Sequence, residues 1–316
     1  MLALAVITVV GCPKPKPHGV WTNVIDMSSA LRAPVAAPSS TTTALLARNQ
    51  CIKVSKQVAQ YTDVGVGWFL DSIGYAHGFY NDGTWHTVDV PGAFTTALFG
   101  LDQYWNMVGF FNYSSGSPFY GLFYNPVDNS FVQIDAAADI YGAESTYFMD
   151  ISADNVSGFY YDTEGLEHGL IYQISTGICS ALDMPSKKAT ELRGINPDYI
   201  VGNYANYANY NDPKVHGCLY NRNTGLWTTV DVPDTYNTWP TRVNGSNIIG
   251  YYGSLDEYYY RGFIHSIVTG NWTKLDIPGA GDVLPQYINN GYVIGYYADL
   301  SGNTYGFVFP LPPGFS

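Results

Sequence analysis

Two short glycine-centred motifs each return six times along this chain, and no other feature limits its fold so strongly. The first is an apolar residue or pair, a glycine, then mostly aromatics. It appears at Val66–Phe69, Val108–Phe111, Val156–Tyr160, Val201–Tyr204, Ile249–Tyr252 and Ile294–Tyr297. The second reads His77-Gly78-Phe79 and recurs at Tyr120–Leu122, His168–Leu170, His216–Cys218, Arg261–Phe263 and Tyr305–Phe307. Between them lie β-branched and aromatic runs bounded by Gly, Asn, Asp and Pro, which is how short strands between tight turns read. The stretch from Thr238 to Pro278 holds four such runs, and a unit of about 45 residues with four strands is one propeller blade.

A fourth-strand signal completes the unit. An aromatic or apolar residue precedes an aspartate by four or five positions: Trp21 with Asp26, Trp85 with Asp89, Phe131 with Asp135, Ile178 with Asp183, Trp227 with Asp231, Trp272 with Asp276. The first copy precedes every other strand and the last blade lacks one. The expected fold is therefore all-β, a six-bladed β-propeller of four-stranded antiparallel blades. Trp21–Asp26 is expected to close the ring beside the C-terminal blade, which removes exposed edges.

Composition agrees. Of 316 residues only 13 % are charged, while Tyr (28) and Gly (33) abound, a mixture unsuited to disorder or to a helical bundle. A formal charge of −12, with 14 basic against 26 acidic residues, argues against a nucleic-acid partner and against attraction to an anionic membrane surface.

The N-terminus carries a different message. Leu2–Val10 has the length of a signal-peptide core, and Val9-Val10-Gly11-Cys12 resembles a lipobox whose cysteine receives the lipid. Pro13–Pro17 then reads as a stiff tether. The expected organisation is a signal peptide over 1–12, a tether over 13–20, the propeller over 21–310 and a tail over 311–316. That places the protein outside the cytoplasm, at the cell surface or in the periplasm, with membrane contact only through a lipid on Cys12. No basic residue precedes the apolar run, so export without the lipid, or no export, stays open.

As a set, His77–Phe79, Trp85–Ala93, Trp272–Ala280, Gly194–Asn196 and Ile200–Tyr204 resemble the bacterial extracellular HAF repeat, over about Trp21–Phe309. The resemblance implies a secreted or surface repeat protein and brings no established reaction with it. Phe119-Tyr120-Gly121 departs from the pattern, as does an insertion over Gln50–Val64 that is a candidate lid or partner loop.

In a propeller the first strand of each blade lines the central channel. Aligned on their turn residues, Asn49, Asp102, Ser152, Asn196, Asn244 and Asn289, these strands carry Arg48, Asp150, Glu191, Arg193, Arg242, Gln286 and Tyr287. Three of the chain's six arginines fall in these segments. One reading is a mouth that grips a polar or anionic ligand through Arg48, Arg193, Arg242, Gln286 and Tyr287. The other is a channel where charged pairs only bind blades together, because inward charge must be paired or wet. Asp150 and Glu191 are candidate acid and base of a polysaccharide hydrolase or lyase if their carboxyls face one another.

No nucleophile elbow, zincin motif, phosphate loop or full dinucleotide fingerprint occurs, so no cofactor is expected. The six repeated aspartates and the three repeated histidines read as structural hydrogen-bonding residues, not metal ligands. Asn209–Asp212 reads as a turn with weak calcium potential. Cys179 and Cys218 are either a disulfide between neighbouring blades or two small buried hydrophobes. Tyr204–Tyr210 and Tyr258–Tyr260 bring rings suited to sugar or peptide surfaces. The expected function is a surface-attached or secreted module that binds a polysaccharide or a cell-surface protein. An enzyme and an architectural envelope component are the alternatives.

Overall fold

The computed structural model describes residues 24–26, 65–71, 74–82, 84–205, 214–253, 259–289 and 291–315. Arg48, Cys12, Cys51, the insertion over Gln50–Val64 and the Asn209–Asp212 loop lie outside them. The chain is a six-bladed β-propeller. Blade two comprises Thr95–Leu101, Met107–Asn112, Tyr120–Asn125 and Ser130–Ile134, hydrogen-bonded in that order from the axis outwards. Blade three (Ala143–Ser152 to Ile178–Ala181) and blade four (Ala189–Ile195 to Leu226–Thr229) repeat the arrangement. Blade five runs from Asn237–Asn244 to Trp272–Asp276. Three strands are described for blade one, from Gly65–Leu70 to Trp85–Val88, and three for blade six, from Ala280–Asn289 to Thr304–Pro310.

Ring closure differs from the sequence expectation. Val24–Asp26 does not lie beside Thr304–Pro310 but runs parallel to Lys274–Asp276, as a fifth strand on the outer edge of blade five. A short strand motif specifies its own extended backbone and not its partner, and the free outer edge of blade five offers the same unpaired amides and carbonyls.

The two repeated glycines have separate physical causes. In the first strands of blades two to six the ladder skips one residue at the equivalent point, Phe99, Met149, Arg193, Thr241 and Gln286. This bulge turns the carbonyls of Ala97, Tyr147, Glu191, Trp239 and Leu284 onto the facing second-strand glycines, where a Cβ would overlap them. The third-strand glycine leaves a recess for the next blade. A Cβ on Gly121 would meet the Phe148 ring at 2.9 Å, on Gly217 the Pro240 ring at 2.8 Å, and on Gly262 the Pro285 ring at 2.8 Å.

Apolar side chains fill the spaces between blades, among them Phe111, Phe148, Leu192 and Phe263. Polar repeats stitch the same interfaces. His77, His168 and His216 each bond the repeated aspartate of their own blade, Asp89, Asp183 and Asp231, through Nδ1 at 3.0, 2.8 and 2.7 Å. Arg261 makes the equivalent pair with Asp276 at 3.5 Å. The next residue's amide donates to a threonine of the following blade, as in Val90 to Thr96, Met184 to Thr190 and Val232 to Thr238. These histidines and the aspartates they meet thus hydrogen-bond within the blade, as the sequence implied. Cys179 and Cys218 are free and buried, so the disulfide alternative is corrected. Cys179 belongs to a core cluster shared by blades two and three, and burial pushes its thiol up to about 12.

Candidate functional site

The bulges decide what the channel becomes. Each lies three residues before the turn, so the bulged residue and its successor form two rows around the axis. The successors are Gly100, Asp150, Gly194, Arg242 and Tyr287. Two of the five are glycine because the strands crowd there: a Cβ on Gly100 would sit 2.8 Å from the Asp150 Cα, and one on Gly194 2.8 Å from the Arg242 Cα. Arg242 extends across the space so left. Its Nη2 donates to the Phe99 carbonyl at 2.7 Å, and its Nη1 to those of Arg193, Met149 and Thr241 at 2.9, 3.2 and 3.4 Å.

All four acceptors are bulged residues. One guanidinium therefore gathers the carbonyls that four bulges tip towards the axis, from blades two, three, four and five. The fork of donors on arginine is suited to this, whereas a lysine ammonium would have to choose. Tyr287 from blade six lies under the guanidinium, 5.5 Å from it, and donates its hydroxyl to the Phe99 carbonyl at 3.2 Å.

Asp150 supplies the counter-charge. Its Oδ2 lies 3.8 Å from Arg242 Nη1 and accepts the Ile195 amide at 3.0 Å. Burial raises the Asp150 pKa, opposed by the Arg242 charge and by the Ile195 and Ile151 amides. The pair is nearly dry, each side chain 13 % exposed.

On the hairpin side of this seal lies a vestibule, a cavity of about 480 Å³ to which all six blades contribute. Its floor is Asp150, Arg242 and Tyr287, and its walls include Leu101, Ile151, Ile195, Val243 and Ile288. Rim polar groups are engaged in the hairpins themselves. Asn196 donates to the Gly245 carbonyl at 2.9 Å and Asn244 to that of Ile288 at 2.8 Å, each tying one hairpin to the next. Asp102 accepts from Tyr104, Asn106 and the Asn106 side chain within its own turn.

No family model and no curated protein matches the chain. Among solved structures it is similar to that of YjhT, at 13 % identity and a TM-score of 0.50, over 80 % of this chain and 93 % of that one. It is also similar to a chain of a nidogen/laminin complex, at 11 % identity and a TM-score of 0.47, over 78 % and 89 %. TolB from Acinetobacter baumannii follows at 10 % identity and a TM-score of 0.47, over 74 % of this chain and 59 % of that one. Such identities bear on the fold alone.

The remaining channel residues fall outside the vestibule. Arg193 Nη2 pairs with Glu191 Oε1 at 2.8 Å, the two side chains 17 % and 10 % exposed. Gln286 occupies the bulge of blade six and is buried. Asp150 and Glu191 therefore belong to different ion pairs, one at the vestibule floor and one farther along the strands. The arginines divide likewise: Arg242 reaches the cavity with its Nη groups committed to carbonyls, while Arg193 does not line it.

Sequence reasoning missed Glu167. This residue begins the third strand of blade three and accepts the Tyr161 hydroxyl at 2.8 Å. Burial and then the neighbouring Glu191 charge raise its pKa, against the Tyr161 bond and Arg193. The available signal was its place directly before the second motif, where the other blades carry Ala76, Phe119, Val215, Tyr260 and Thr304.

Proposed function

We propose that this propeller is an extracytoplasmic binding module whose vestibule receives the apolar tip of a loop from a protein partner. The observation that carries this reading is the well itself, whose lining includes five aliphatic side chains above a floor where Asp150 and Arg242 are already paired. A saccharide entering it would find few free partners for its hydroxyls, because Asp102, Asn196 and the Asn244 amide are spent on the hairpins. A strongly anionic ligand would have to take Arg242 from four carbonyls. An apolar tip loses little by leaving water and gains contact on every side.

The lipobox-like Val9–Cys12 and the proline tether that follows support attachment of the module to a membrane through a lipid on Cys12. Mass spectrometry of the mature N-terminus tests this: a lipidated Cys12 at the start of the chain is expected, and an intact Met1 contradicts it. The binding reading is tested by crosslinking on the producing cell. A benzophenone placed at Ser152, on the vestibule lining, is expected to capture one protein. Gln103→Trp, which puts a bulky ring at an exposed position on the vestibule lining, is expected to abolish that capture while leaving the Tm unchanged. Equal capture by both proteins contradicts the reading.

A further inference from the structure

Departures from the repeat gather at one place beyond the Arg242 seal. The position after the second-strand glycine is aromatic in five blades, as in Trp68, Phe159 and Tyr251, but is Asn203 in blade four. The position it faces across the ladder is Ala97, Tyr147, Trp239 or Leu284 in other described blades, but Glu191 in blade four. The bulge of the same blade is Arg193, and the third strand of blade three contributes Glu167. A ring that elsewhere is aromatic or aliphatic thus turns polar in one sector.

Rings flank that sector on both sides. Tyr147 stacks on Phe159 with centroids 4.7 Å apart, and Trp239 stacks on Tyr251 at 5.2 Å with Tyr260 edge-on to both. Several polar atoms here are buried without a partner: Asn203 Oδ1, Gln286 Nε2 and Arg193 Nε. Asn203 is 6 % exposed and Gln286 7 %. Asn203 lies on the same side of the sheet as Glu191, directly opposite it, so its orphaned acceptor belongs to the same polar sector. Gln286 holds the same bulge position as Arg193 and so offers its donor from the same row around the axis. Leaving such groups unmet is costly, and native proteins keep few of them.

We propose that this end of the channel is a saccharide site, in which a neutral pyranose unit lies against the Tyr147–Phe159 and Trp239–Tyr251 rings. Its hydroxyls bond Glu167, Glu191, Asn203 and Gln286. A hydroxyl both donates and accepts, which matches orphans of both kinds, and the C–H face of a sugar ring suits an aromatic wall. Two carboxylates against one guanidinium leave the sector short of positive charge, which disfavours an anionic sugar. The site is separate from the vestibule and does not depend on it.

The test titrates the whole protein with a panel of soluble neutral oligosaccharides (gluco-, manno-, xylo- and chito-series), read by tryptophan fluorescence and calorimetry. At least one series is expected to bind and to perturb the emission that Trp68 and Trp239 contribute. Glu167→Gln and Asn203→Leu, each checked by its melting curve, are expected to weaken that binding roughly tenfold. The vestibule-filling Gln103→Trp is expected to leave it unchanged. Absence of binding across the panel overturns the proposal. So does binding that survives both sector variants or is lost with Gln103→Trp, and neither result touches the vestibule reading.

Discussion

The outer girdle and the axis of this propeller use the same polar residue types to opposite ends. On the girdle, His77–Asp89, His168–Asp183, His216–Asp231 and Arg261–Asp276 repeat one contact blade after blade, at partly exposed positions. On the axis the bulge repeats but the side chains after it do not: among the described residues Arg242, Asp150 and Tyr287 occupy one row with two glycines, and their contacts reach across five blades. A repeated pair acts locally and its loss is confined to one interface. A single residue at a symmetry-like axis is shared by all its neighbours, so its removal is felt by each.

The largest effect is therefore expected at the axis. Arg242→Met leaves the Met149, Arg193 and Thr241 carbonyls without this donor, the Phe99 carbonyl with Tyr287 alone and the Asp150 carboxylate without its counter-charge, and denaturant melts are expected to show a loss of about 3–5 kcal/mol. Arg242→Lys should recover only part of it, since one ammonium cannot reach all four carbonyls. A full recovery would mean that charge alone matters there.

Gly202→Ala probes the bulge that aims those carbonyls. The new Cβ overlaps the Glu191 carbonyl, and a cost of about 3 kcal/mol is expected from the same measurement. Asp231→Asn on the girdle is expected to cost no more than about 1 kcal/mol, because the aspartate side chain is 38 % exposed and water screens the pair. An Asp231 effect matching that of Arg242 would erase the distinction between the two regions.

A smaller effect separates the girdle by pH. Burial works against the charged ring of His168, but Asp183 and Asp162 outweigh it and raise its pKa above the usual 6.5. Its pairing therefore stabilises the fold fully below about pH 6.5 and fades as pH rises through the raised value. Wild type and His168→Gln are expected to differ most in melting temperature near pH 5.5 and to converge in alkaline buffer. A gap that widens with pH would contradict the assignment.

How much of this was legible in the sequence follows the same division. Whatever recurs, namely blade number, strand order, glycine recesses and the structural role of the His and Asp rows, could be read from spacing, because one physical need met six times leaves a pattern. The partner of Val24–Asp26 could not, since a strand motif says nothing about which edge it joins. The channel residues were visible but pooled. Counting back from the turn puts Arg193 and Gln286 in one row and Asp150, Arg242 and Tyr287 in the next, and that one-residue offset separates the two ends of the channel. Glu167 escaped because it sits on a third strand, where no channel residue was sought. That Arg242 spends its donors on carbonyls is a consequence of bulge geometry, which no side-chain pattern encodes.

The central claim is that Arg242 closes the axis by holding four blades' carbonyls. Nitrogen-detected NMR of the arginine side chains tests it most directly. Slow rotation about the guanidinium C–N bond and slowly exchanging Nη protons are expected for Arg242, in contrast to the rapid exchange of a free side chain. Fast rotation and solvent-rate exchange at Arg242 would show an open, wet channel and contradict the account.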